Sequence, residues 1–187
     1  MLSDKDITKN ATLKALKMMK DSGFEISDNL EVAIDPNLPF MGYSTRRSKG
    51  HFIVVSGMAL RSGLVEGLLI HEMSHIYRTD TNHPSHDHGL IESVVQDVIN
   101  KNWIIEDCQL NVIHQAVNHI QDLYADDIAF KVFNKSGLLS AEQIIDFFFS
   151  WIKDESISPK DMEERWMNVG IMLNNRFAIS NMTRHKI

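Results

Sequence analysis

His71-Glu72-Met73-Ser74-His75 is the stretch whose residue types and spacing carry the most chemistry. On a helix, residues four apart stand one above the other on one face. His71 and His75 can then offer two imidazoles to one metal ion, with Glu72 beside them. Zinc takes nitrogen ligands at about 2.0–2.1 Å, and its catalytic sites usually combine three protein ligands with a water. The stretch supplies two such ligands and a carboxylate able to take a proton from that water. Such short patterns also arise by chance, and the chain holds nine histidines. Context weighs against chance. Leu64, Leu68 and Ile70 mark a buried helix, where two unliganded imidazoles would be costly to desolvate.

A third ligand is available downstream, in Asp122-Leu123-Tyr124-Ala125-Asp126-Asp127-Ile128-Ala129. Asp122 and Asp126 are one helical turn apart, and His119 lies one turn before Asp122. Two carboxylates on a half-buried face need neutralising. Asp122 can bind the ion, and Asp126 can accept the remaining ring N–H of His71 or His75, fixing its tautomer. The alternative is a solvated acidic face, which suits Asp127. The segment Arg78 to Gly89 carries His83, His86 and His88, any of which can complete the site. A solvated rim is the plainer expectation for that polar loop. Zinc proteases with three histidines need Gly at position 78 and His at 81; Arg78 and Thr81 exclude that class.

These groups need scaffolding elements. A helix is predicted over residues 4–22, with Ser3 as N-cap, Ile7, Ala11, Ala15 and Met18 on one face, and Gly23 as its stop. Residues 31–34 read as a short strand, and 40–50 as a hairpin arm or long connection. Arg46, Arg47 and Lys49 there form a solvated rim. His51-Phe52-Ile53-Val54-Val55 is the best strand; as an exposed edge it could pair with an extended peptide, and equally it could be core alone. The histidine helix is expected to begin near Arg61-Ser62. The lack of Gly between 89 and 137 predicts helices over 89–100 and about 104–134. Ser140 to Gln143 is a capping box, and Pro159 sits at the first position of a last helix. Trp151, Trp166, Met167, Ile171 and Met172 are expected to pack these helices, or, if exposed, to form a homodimer surface. Residues 183–187 read as a frayed tail.

The expected architecture is α+β, mainly α: a small N-terminal sheet with an edge strand beside the histidine helix, then a helical C-terminal half. At 187 residues and 43% hydrophobic content, one domain is expected. It would run from an N-terminal part at 1–60, through the metal-site helices at 61–135, to appended helices at 136–187. A net charge of −6 argues against nucleic acid as partner. No apolar run reaches the roughly 20 residues of a membrane helix. The start, Met1 to Asp6, shows no apolar signal region. Cys108 is the only cysteine, which fits a reducing cytoplasm and a structural role.

Over residues 50–135 the chain resembles the gluzincin group of zinc metallopeptidases, in particular its small soluble archaeal and bacterial members. Those join the histidine–glutamate–histidine helix to a later helix reading Glu-x-x-Ala-Asp-x-x-Ala. The resemblance implies a zincin-like fold, one zinc ion, His71 and His75 as ligands, Glu72 as general base, Asp122 as third ligand and Asp126 as partner to a ligand's ring. The group's third ligand is glutamate; Asp122 is one methylene shorter, so the two helices must approach more closely, or a loop histidine or Glu92 takes that place. The implied activity is hydrolysis of peptide bonds in a peptide or protein substrate. His119, Tyr124, Tyr77 or a loop histidine could steady the oxyanion. The rival readings are a non-catalytic zinc-binding module and a regulatory protease-like protein that cuts a partner rarely.

Overall fold

The computed structural model describes residues 3–26, 29–102, 106–156 and 158–187. It is mainly helical with one three-stranded sheet. Contacts divide the chain into two compact units, each built from two stretches. The first holds the N-terminal 82 residues and 125–139; the second holds 83–124 and 140–187.

In the first unit, helix α1 (Asp4–Asp21) opens on a capping box. Ser3 Oγ accepts the Asp6 N–H at 3.2 Å, and the Asp6 carboxylate reaches back to the Ser3 N–H at 3.3 Å. The Ser3 hydroxyl, which donates to Asp6 Oδ2 at 2.6 Å, and then the Ser3 N–H hold the Asp6 carboxyl below its ordinary pKa. Its buried face is Thr8, Ala11, Ala15 and Met19. The expected face used Ile7 and Met18, which are half-buried flanks.

Strands β1 (Leu30–Asp35), β2 (Gly42–Arg47) and β3 (Gly50–Ser56) pair in the order β1-β3-β2. β1 runs parallel to β3, and β2 antiparallel. The apolar 51–55 run is therefore central, which corrects the edge reading and bears out the core one. Being covered by a neighbour on each side suits a run that buries Ile53, Val54 and Val55 in succession. The edge strand against the histidine helix is β2: a Cβ on Gly42 would meet Leu68 Cδ2 at 3.1 Å. Arg46, Arg47 and Lys49 are exposed, and the Arg47 guanidinium lies 3.5 Å over the Phe52 ring.

Ser56 caps a short helix, α2 (Gly57–Arg61), and the histidine helix α3 (Val65–Asp80) follows separately. The expected single start at Arg61-Ser62 is corrected by Gly63, whose φ of +74° breaks the run. α3 buries Val65, Leu69, Ile70, Met73 and Ile76. At its far end, Asp80 Oδ1 lies 2.8 Å from Nε2 of buried His51 and ties the last turn to β3. Helix α5 (Asp107–Ser136) is continuous across the point where the units divide. Its last three turns belong to the first unit and bury Ala125, Ile128, Ala129, Val132 and Phe133, at helical spacing. Its expected start, near 104, lies outside the described residues.

In the second unit, a single 3-10 turn at Pro84–His86 leads into α4 (His88–Asn102) and the first half of α5. Helix α6 (Ala141–Phe149) has the expected Ser140–Gln143 capping box. Helix α7 (Met162–His185) begins later than expected. Asp161 is its N-cap, accepting the Glu164 N–H at 2.8 Å, so Pro159 stays outside the helix. The helix continues through Thr183 and Arg184, where a frayed tail was expected, and ends on Lys186 at a left-handed φ of 58°. Ile144, Phe148, Phe177 and Ala178 are buried between α6 and α7. Trp151 packs on Phe147 and Phe177, whereas Met167 and Met172 are exposed and Trp166 and Ile171 half-buried. Among the described residues, no helix is long and apolar enough to cross a membrane.

Candidate metal centre

α3 sets His71 and His75 on one face, a turn apart. Their Nε2 atoms lie 3.1 Å apart, with ring planes at 80°. The other nitrogen of His71 is committed: Nδ1 stands 2.8 Å from Asp126 Oδ1, which is buried on α5. A carboxylate only accepts, so Nδ1 carries the proton and His71 Nε2 presents a lone pair toward His75. An ion about 2.0–2.1 Å from each nitrogen in tetrahedral geometry would hold them about 3.3 Å apart. The observed separation is close to that, and the donor set fits zinc. Glu72 is next along the helix and 6% exposed. A carboxylate so withdrawn from water is costly unless a cation or a proton lies near.

Asp122 is one turn before Asp126 on α5. Asp122 belongs to the second unit, whereas His71, His75 and Asp126 belong to the first. Asp127 is half-buried, unlike the solvated group expected.

The remaining candidates stand elsewhere. Tyr77 packs edge-on to Phe24 at 5.3 Å. Glu92 and His88 are exposed on α4. The loop histidines depart from the expected solvated rim: Ser85 and His86 are buried, and Ser85 Oγ lies 2.8 Å from Nδ1 of both His83 and His86. The His83 ring also lies 4.8 Å from Tyr124, which is 38% exposed. His119 is buried in the second unit, with Nε2 2.7 Å from Asn174 Oδ1 and its ring stacked on Phe177 at 4.6 Å. Cys108 is half-buried and in no disulfide.

Three partners escaped the sequence reading. Asn174 holds His119, Gln115 holds Asn174, and Asp80 holds His51. Each pair is 29 to 59 residues apart or linked through such a pair, and neutral amides carry no spacing signature. The serine between two histidines was within reach, since His83, Ser85 and His86 are near neighbours. No curated protein and no solved structure matches the chain. A family model described as a family of unknown function (DUF5781) matches residues 4–181, and the chain belongs to that family.

Proposed function

We propose that the protein is a zinc-dependent metallopeptidase that hydrolyses peptide bonds in a peptide or protein substrate. The observation that carries this is the convergence of His71 and His75 Nε2 at 3.1 Å while Asp126 occupies the opposite nitrogen of His71. Bound zinc would supply a Lewis acid that brings a water's pKa toward about 7 and polarises the scissile carbonyl. His71, His75 and Asp122 are the ligands in this reading. Glu72, adjacent on the helix, takes the proton from the attacking water and returns it to the leaving amine. β2, the outer strand beside α3, offers main-chain groups to an extended substrate. Tyr124, partly exposed, is the candidate to steady the oxyanion in this reading.

The test pairs metal content with turnover. The purified parent should contain about one zinc per chain and cleave members of a peptide library; Glu72→Gln should keep the zinc and lose the cleavage. Equal cleavage by Glu72→Gln sinks the catalytic assignment. Zinc in a parent that cleaves nothing favours the non-catalytic reading, to which the deep burial of Glu72 is also suited.

A further inference from the structure

We propose that the outer edge of β2 takes up an extended acidic peptide segment as a fourth strand. This names a substrate class for the peptidase, and it rests on the peptidase reading only for the segment's being cut. Two hydrogen bonds fix which groups of β2 are open. Ser56 N donates to Met41 O at 2.9 Å, and the β2–β3 register sets these two residues directly opposite each other. Opposed residues of an antiparallel pair exchange bonds at every second position. Tyr43, Thr45 and Arg47 therefore bond to β3, and Gly42, Ser44 and Arg46 turn their N–H and C=O groups outward. β3 agrees: His51 N donates the other way, to Asn29 O at 2.8 Å, on the side of β1. Among the described residues, no strand lies on the outer side of β2.

That open side runs along the histidine helix. A Cβ on Gly42 would meet Leu68 Cδ2, so the face of β2 with Gly42, Ser44 and Arg46 is the one turned to α3. Leu68 shares its helix face with His71, Glu72 and His75, three, four and seven residues on. At the far end Arg46 stands opposite His51, which Asp80 ties to the last turn of α3. The two histidines are therefore level with the middle of β2. Charge selects the occupant. From Pro36 to Val65 the chain has no Asp or Glu, although it holds 25 in all, and Arg46, Arg47, Lys49 and Arg61 fall in that interval. Arg46 and Lys49 are exposed, and neither makes an ion pair among the described residues. The opposite edge, β1, carries Glu31 and Asp35 and no cation, so it does not suit an acidic strand. A carboxylate on the added strand opposite Arg46 gains a cross-strand ion pair, worth about 1.5–5-fold in affinity. In the antiparallel pairing, the more stable of the two, that residue precedes the bond held at the histidines.

Fluorescein-labelled peptides with glutamate at alternate positions, or glutamine in its place, test this on the full chain. Anisotropy with Glu72→Gln reads binding without turnover, and kcat/KM with the parent reads cleavage. The acidic peptides should bind and be cut about 1.5–5-fold better for each ion pair formed. Arg46→Glu, at an exposed position, should reverse the preference toward lysine-bearing peptides. N-methylation of alternate peptide amides should abolish binding in one phase and spare it in the other, because an added strand turns only every second amide to β2. Equal handling of acidic and neutral peptides, a preference unchanged in Arg46→Glu, or indifference to N-methylation overturns the inference and leaves the peptidase standing. Self-association that Arg46→Glu abolishes also overturns it, by giving the edge to a second copy. Selective binding with no cleavage supports the edge site and overturns the peptidase reading; neither binding nor cleavage overturns both.

Discussion

His71 is the most constrained residue of the site. Its two nitrogens have separate duties: Nδ1–H is spent on Asp126, and Nε2 faces His75. Hydrogen bonding by a carboxylate fixes the tautomer and makes the ligating nitrogen more basic. Asp126→Ala should therefore weaken zinc binding about 10–100-fold while far-ultraviolet circular dichroism stays unchanged. Asp126→Asn, which can still accept from Nδ1–H, should fall between the two. Full zinc affinity in Asp126→Ala would show that the His71–Asp126 pair is packing alone.

Elements place these residues through local backbone chemistry. α3 can start where it does because Gly63 takes φ +74° after α2, with open space where a Cβ would go. Gly63→Ala meets no clash, so its cost is backbone strain alone, about 1–2 kcal/mol, measurable as a lower urea midpoint at unchanged slope. At the chain's start, the α1 capping box adds a pH dependence. Asp6 is held below its ordinary pKa by Ser3, so the unfolded chain takes up its proton first as pH falls. The contribution is complete above the ordinary carboxylate range and is lost as pH drops through the depressed folded value. Parent and Asp6→Asn should accordingly differ in urea midpoint at neutral pH and converge in acid. A constant difference across that range would rule out the linkage. At the other end of α3, the His51–Asp80 pair offsets an acidic side chain in a last turn, where the helix dipole disfavours it.

At the scale of the whole chain, an ion held as proposed would bind the folded state in preference to the unfolded one. Zinc at about a hundred times its dissociation constant should stabilise folding by about 2.7 kcal/mol. The melting temperature should climb with zinc concentration in the parent and stay flat in a variant lacking both His71 and His75 side chains. Identical thermal behaviour of the two would remove the case for a specific site.

What the sequence determined by itself is local. The four-residue spacing of His71 and His75, the 122–126 spacing on a second helix, the caps at Ser3 and Ser140, and a mainly helical chain with a small sheet are all properties of neighbouring residues, legible from helix periodicity and capping chemistry. Tertiary structure decided every choice among distant partners. β3 is central because β1, some twenty residues earlier, lies along its other side. Asp126 reaches His71 across 55 residues, and Asn174 reaches His119 across the same interval. Asp161, whose carboxylate accepts the Glu164 N–H, caps α7 and leaves Pro159 two residues before the cap instead of at the first helical position. Periodicity states which face of an element is apolar. Which element meets that face, and which donor finds which acceptor, depends on packing between segments whose spacing in the chain carries no record of it.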